Sequence, residues 1–167
     1  PAETTSTEPW SREQWKDASK TIQHATISPS GKRALLTARG EVFTVPTDEG
    51  STRNLSGTDG IREYSALWAP GGEQGACIEG SLDGQSLVLQ DQDGLAAPRR
   101  LALGPHFYEL LAWSPDDTRI VFRDNHLALY AITLADGDVD LIARNARREG
   151  FDVAFSPDSR WLAYTLE

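Results

Sequence analysis

The chain has 167 residues, no methionine and a single cysteine, Cys77. One cysteine excludes a disulfide framework and the cysteine spacings of a zinc site. Cys77 stands in an apolar run, which points to a buried, inert thiol, since activation needs a base or cation that the sequence does not bring to it. Long hydrophobic runs are missing too, and none approaches the roughly 18 apolar residues of a membrane span. Basic residues are few: 16 Lys and Arg stand against 25 Asp and Glu, for a net charge of −9. That balance argues against nucleic acid, which is bound through clustered Lys and Arg. The small cluster Arg144, Arg147, Arg148 is followed by Glu149 and reads as a solvated loop. There is no Gly-x-Ser-x-Gly elbow, no phosphate-binding loop and no Gly-x-Gly-x-x-Gly fingerprint.

What the chain does have is a repeat. Ser28-Pro29-Ser30-Gly31 returns as Ala69-Pro70-Gly71-Gly72, Ser114-Pro115-Asp116-Asp117 and Ser156-Pro157-Asp158-Ser159, with the prolines 41, 45 and 42 residues apart. A period in this range marks an array of supersecondary units. Two residues before each proline stands a large apolar group (Ile27, Trp68, Trp113, Phe155), and four before it a smaller one (Ala25, Ala66, Leu111, Val153). This period of two reads as a strand running into a turn. Proline presets φ at the second turn position, Ser or Asp bonds nearby N–H groups, and Gly tolerates the exit. A second apolar run follows each turn: Ala34 to Leu36, Ala76 to Ile78, Ile120 to Phe122, Leu162 to Tyr164. Their continuous hydrophobicity predicts strands covered on both faces.

Third strands are predicted over Glu41 to Pro46, Ser86 to Gln90 and Leu127 to Leu134, and short fourth strands near Thr52 to Leu55, Arg99 to Leu103 and Val139 to Ala143. Four antiparallel strands in about 40–45 residues make the blade of a β-propeller. The fold class is therefore all-β, with three complete blades (about 21–57, 58–104 and 105–148) and a half blade (149–167). Trp68, Trp113 and Phe155 are expected at equivalent, largely buried positions between blades. Gly75 takes the place of Ala34, Ile120 and Leu162, and predicts a looser second blade, since a strand glycine packs nothing.

Closed propellers have 4–8 blades, and repeats bury their core only against neighbours. Together with a start at Pro1 and no methionine, this leads us to expect a piece of a larger ring. The alternative is a chain that completes its ring by self-association. Residues 1–20 read as a linker rich in Thr, Ser and Glu. Within it Ser11 and Gln14 form a capping box and Trp10 and Trp15 a hydrophobic staple, predicting a short helix over Arg12 to Ser19.

The stretch Gly31-Lys32-Arg33-Ala34-Leu35-Leu36-Thr37-Ala38-Arg39-Gly40-Glu41-Val42-Phe43-Thr44-Val45-Pro46 resembles a propeller segment of tricorn-type peptidases. Its continuation through Gly50, Arg53-Asn54-Leu55, Arg62-Glu63 and Trp68-Ala69-Pro70 does so too. The Ser-Pro-Asp-Gly repeat by itself is shared with TolB-like propellers and with those of prolyl-oligopeptidase relatives. The resemblance covers about residues 20–167, most specifically 24–70. It implies a non-catalytic segment at the start of a second, seven-bladed propeller of a large, multidomain serine peptidase, the propeller associated with substrate access. Such a segment scaffolds or gates peptide passage to a distant active site, and no family catalytic residue falls on this chain. The resemblance implies a cytoplasmic setting, with the periplasm as alternative. The competing function is a TolB-type protein-interaction propeller with no peptidase attached.

Nothing in the residues points to catalysis, a metal or a cofactor. His24, His106 and His126 read as packed or surface side chains. Asp136, Asp138 and Asp140 alternate as in a calcium loop, but Leu141 replaces the glycine and the distal Glu is missing, so a hairpin turn is expected. Binding is expected where inner strands begin. His24, Arg62, Glu63, Glu109 and Asp152 stand at or before those starts, and an unpaired charge between packed blades is costly. They are therefore expected at the channel or its rim. There they would either favour peptides of basic or amino-terminal character or pair with one another to order loops. The partners implied are the rest of a parent chain or a second copy, and peptides or unfolded polypeptide, with no nucleic acid and no membrane span.

Overall fold

The computed structural model describes residues 17, 19–57, 60–82, 84–147 and 150–166. Most of the expected helix over Arg12 to Ser19 lies outside the described residues; a 3-10 turn, Ser19–Thr21, leads into the first strand. Three four-stranded antiparallel sheets follow in sequence order. The first holds β1 (Ile22–Ile27), β2 (Arg33–Ala38), β3 (Glu41–Pro46) and β4 (Arg53–Asn54). The second holds β5 (Arg62–Trp68), β6 (Gln74–Ser81), β7 (Gly84–Asp91) and β8 (Arg99–Gly104). The third holds β9 (Tyr108–Trp113), β10 (Arg119–Asp124), β11 (Ala128–Thr133) and β12 (Val139–Arg144), and a hairpin of β13 (Val153–Phe155) and β14 (Leu162–Tyr164) comes last.

The repeated turn is closed by the same backbone bond each time, the N–H of Ser28, Ala69, Ser114 and Ser156 donating to the carbonyl five residues on, and Ser–Asp side chains add to it in the last two units. In the third sheet the Ser114 N–H donates to the Arg119 carbonyl at 2.8 Å, the Arg119 N–H donates to Ser114 Oγ at 2.9 Å, and Ser114 Oγ donates to Asp116 Oδ1 at 2.7 Å. Ser156, Asp158 and Trp161 repeat the set in the last hairpin. The fourth turn position is left-handed in all four units, with φ of 71° at Gly31, 76° at Gly72, 59° at Asp117 and 58° at Ser159. Glycine adopts this region without penalty, while Asp and Ser enter it at some cost. The turns also touch from sheet to sheet: Gly71 N–H donates to Asp117 Oδ1 at 3.3 Å and Asp116 N–H to Ser159 Oγ at 3.0 Å. The Asp136 to Asp138 stretch is the β11–β12 turn, where the Asp138 N–H donates to Asp136 Oδ1.

The core lies between sheets. Trp68 packs with Leu35, Val42 and Ala66, and its indole N–H donates to the Thr26 carbonyl of the first sheet at 3.2 Å. Trp113 packs with Ala76, Ile78, Leu87 and Leu89 of the second sheet, and both tryptophans are buried. Phe155 occupies the matching place against Val121, Leu129 and Phe151, but is only half-buried, because its hairpin contributes two strands where the other sheets contribute four. Ile27, the first member of the series, is 68 % exposed. It lies on the face of the first sheet that carries Ala25, Leu36 and Phe43, the face turned away from the second sheet.

Gly75 does not loosen the second sheet. It is buried, and a Cβ there would stand 2.9 Å from Leu35 Cδ1 of the first sheet. The missing side chain is filled from the neighbouring blade.

Candidate functional site

β1, β5 and β9 are the inner strands, each the first of its sheet. Between them opens a cleft of about 400 Å³. Its wall includes Gln23, His24, Tyr64, Phe107, Glu109 and Arg123. Backbone irregularities shape it. The β5–β6 register shifts between Tyr64 and Leu67, and Ser65 takes a φ of 56°. This bulge aims Ser65 at the third sheet, where its Oγ accepts the Leu110 N–H at 2.8 Å. A bulge inserts one residue into a strand and re-aims the side chains beyond it.

Of the five expected site residues, two line the cleft. His24 is exposed there, opposite Thr37 of β2. Glu109 is exposed there too, and Arg123 Nε donates to its Oε2 at 2.8 Å. The register pairs these two residues directly across β9 and β10. Arg62 is exposed and holds its guanidinium 5.4 Å from the centre of the Tyr64 ring, a cation–π arrangement. Asp152 is exposed in the loop before β13, where its N–H donates to Thr165 Oγ1 and its carbonyl accepts the Thr165 N–H.

Glu63 departs from the expectation. It is 2 % exposed and lies between the first and second sheets, sharing a wall with Leu35, Val42 and Cys77. The bulge is the reason. Simple alternation puts Tyr64 and Arg62 on the face of Trp68; the extra residue reverses this, so Tyr64 packs on the core shared with the third sheet and Glu63 turns to the first. The Glu63 N–H donates to the Gly40 carbonyl at 2.7 Å, which stitches the two sheets beside the buried carboxyl.

Cys77 stands next to Glu63. Burial, with Glu63 and Glu79 close by, pushes its thiol up to about 12. A thiol so placed stays protonated at neutral pH and is a poor nucleophile.

Sequence reasoning missed Tyr64, Phe107 and Arg123 as parts of the site. Arg123 was accessible in principle, because pairing the strands on either side of the Ser114 turn brings it opposite Glu109. The Tyr64 hydroxyl donates to Gln85 Oε1 at 2.6 Å. Burial raises its phenol above the ordinary value, against a backbone hydrogen bond at Tyr108 and the charge of Arg62. The cleft thus combines aromatic walls, an ion pair and an exposed imidazole.

Sequential four-stranded antiparallel sheets, packed face to face with their first strands around a common cleft, define a β-propeller segment. The comparisons narrow this. No family model matches the chain. Tricorn protease homolog 1 of Streptomyces coelicolor is 26% identical over 155 residues, covering 89% of this chain and 14% of that protein. A TolB-type structure from Agrobacterium tumefaciens superposes with a TM-score of 0.68 at 21% identity, over 86% of this chain and 53% of the other. The tricorn protease structure superposes with a TM-score of 0.67 at 17% identity, over 93% of this chain and 15% of the other. The chain is similar in sequence to a tricorn protease homolog and shares its fold with TolB-type and tricorn propellers, and it spans only a small part of the curated relative it matches. Among the described residues no helix is long and apolar enough to cross a membrane.

Proposed function

We propose that this propeller segment guides extended peptides towards an active site elsewhere in a larger, tricorn-like peptidase. The observation that carries the reading is the open, aromatic-walled cleft at the starts of the inner strands, in a chain that is 26% identical to a tricorn protease homolog over 155 residues. The cleft offers stacking surfaces at Phe107 and Tyr64, a carboxylate at Glu109 and an imidazole at His24. Arg123 partly neutralises Glu109, which tempers the pull on basic peptides without removing it. Steering by the net negative charge of the whole chain adds to it.

The test is made in the parent protein. Glu109→Gln removes the carboxylate of the cleft and frees Arg123. Hydrolysis of lysine-rich extended peptides should then lose part of its kcat/KM and of its salt dependence, with hydrolysis of a short neutral peptide unchanged. Unchanged discrimination between the two peptides would overturn the reading. The second reading, a TolB-type interaction propeller, is favoured by the structural match to TolB over 86% of the chain. It predicts a folded protein partner and no competition by extended peptides for that partner.

A further inference from the structure

His106 and His126 are twenty residues apart in the chain, yet the topology brings them together. In the β9–β10 pair Asp124 stands opposite Tyr108. The pairing runs on one step past the strand ends, where the Asn125 N–H donates to the Phe107 carbonyl at 3.0 Å. The next step in the same register sets His106 against His126. Their ring centres are 4.4 Å apart, with the planes at 66°. Tyr108 meets the His106 ring edge-on, at 6.2 Å between centres. One ligating atom from each of His106, Asp124 and His126 falls within 4.8 Å of the others.

The carboxylate is already held in place. Asp124 is 4 % exposed; its Oδ1 accepts the N–H groups of His126 at 2.8 Å and Ala128 at 2.9 Å, and its Oδ2 accepts the Tyr130 hydroxyl at 3.1 Å. Metal-binding carboxylates are commonly oriented by such outer hydrogen bonds, and Tyr130 stands in that position. An ionised carboxylate has about four acceptor sites, and these bonds use three. His126 is exposed and His106 half-buried, so both rings can turn to close the remaining distance while Asp124 stays fixed. Arg144 donates to the His126 carbonyl at 3.2 Å. Its positive charge opposes a cation here, and the Asp124 charge offsets it.

We propose that His106, Asp124 and His126 bind a divalent transition-metal ion at the edge of the cleft. Two imidazoles and one carboxylate are the donor set of zinc and its first-row neighbours; calcium and magnesium take oxygen ligands instead. Three protein ligands leave a coordination position open, and the exposure of His126 puts that position in contact with solvent. The ion would tie the loop before β9 to the β10–β11 turn. It would also set a positive charge beside Phe107 and Asn125, both of which line the cleft. The spacing of the two histidines does not announce a metal site, because the site exists only in the register of one strand pair.

The experiment is calorimetric titration of the full chain with zinc chloride, repeated on variants. The wild-type chain should take up one ion. His126→Gln changes an exposed side chain and should leave the circular dichroism spectrum unchanged. It should weaken binding by more than the roughly tenfold to hundredfold that loss of an outer hydrogen-bond partner costs, and Tyr130→Phe should fall in that lower range. His24→Gln, on the other side of the cleft, should bind as wild type. Cobalt(II) should show in its visible absorption the same dependence on His106 and His126. No saturable binding, or binding that survives His126→Gln or is lost with His24→Gln, would overturn the proposal.

Discussion

Gly75 of the second sheet and Leu35 of the first fit together as a gap and the side chain that fills it. A Cβ on Gly75 would stand 2.9 Å from Leu35 Cδ1, closer than real Cβ contacts allow, and Leu35 is itself 1 % exposed. Gly75→Ala should therefore destabilise by about 1–3 kcal/mol through overpacking. In the double variant with Leu35→Ala, itself costly because Leu35 is buried, the two losses should sum to less than additive. A double-mutant cycle by urea unfolding checks this, and additive effects would mean that the two residues do not compete for one space.

The aromatic position before each turn should vary in value along the array. Trp113→Ala should cost about 3–5 kcal/mol, the range for a buried aromatic truncation. Ile27→Ala, at the equivalent place but 68 % exposed, should change stability by less than about 0.5 kcal/mol. Thermal unfolding of the two variants side by side is the measurement. A large loss at Ile27 would show that the open face of the first sheet is covered in solution.

Acid should loosen the turns. The Ser114 and Thr118 hydroxyls hold the Asp116 carboxyl down to about 2, and the Ser156 hydroxyl with the Arg160 N–H lowers Asp158. A folded-state value below the unfolded one means that the ionised form favours the native state. That contribution is complete above the unfolded carboxylate value of about 3.9 and disappears as pH falls towards 2. Melting temperature followed from pH 6 to pH 2 should fall less steeply in the Asp116→Asn, Asp158→Asn double variant than in the parent chain. Parallel curves would assign the acid limb to other groups.

Cys77 should resist alkylation. With its thiol pushed up to about 12, almost no thiolate is present at pH 8, and iodoacetamide should modify the native chain far more slowly than the urea-unfolded one. Equal rates would place the thiol outside the interface between the first two sheets.

The repeated turns were legible because their chemistry is local: Pro at the second position, Ser or Asp closing onto backbone N–H groups, and a left-handed fourth residue. That much fixed the strand order and the burial of Trp68 and Trp113. The face of a charged residue was not legible when a bulge intervened. Period-two reasoning cannot see the extra residue at Ser65, and Glu63 lies on the wrong side of it for a channel residue. Gly75 misled for a related reason. A glycine in a strand looks like a packing defect until the side chain that occupies its space, forty residues earlier in the chain, is known. The Glu109–Arg123 pair and the His106–His126 pair depend on one register, and no spacing rule within a single strand contains it.

The bonds that join one Ser-Pro turn to the next, from Gly71 to Asp117 and from Asp116 to Ser159, span 46 and 43 residues. Among the described residues the main contacts between strands of different sheets likewise connect neighbouring sheets. Cooperativity in such a chain is passed along a line and not shared through one common centre. Folding can therefore start in any blade and spread outward, and a lesion at one seam should lower amide-exchange protection on its two flanks before it reaches the far end.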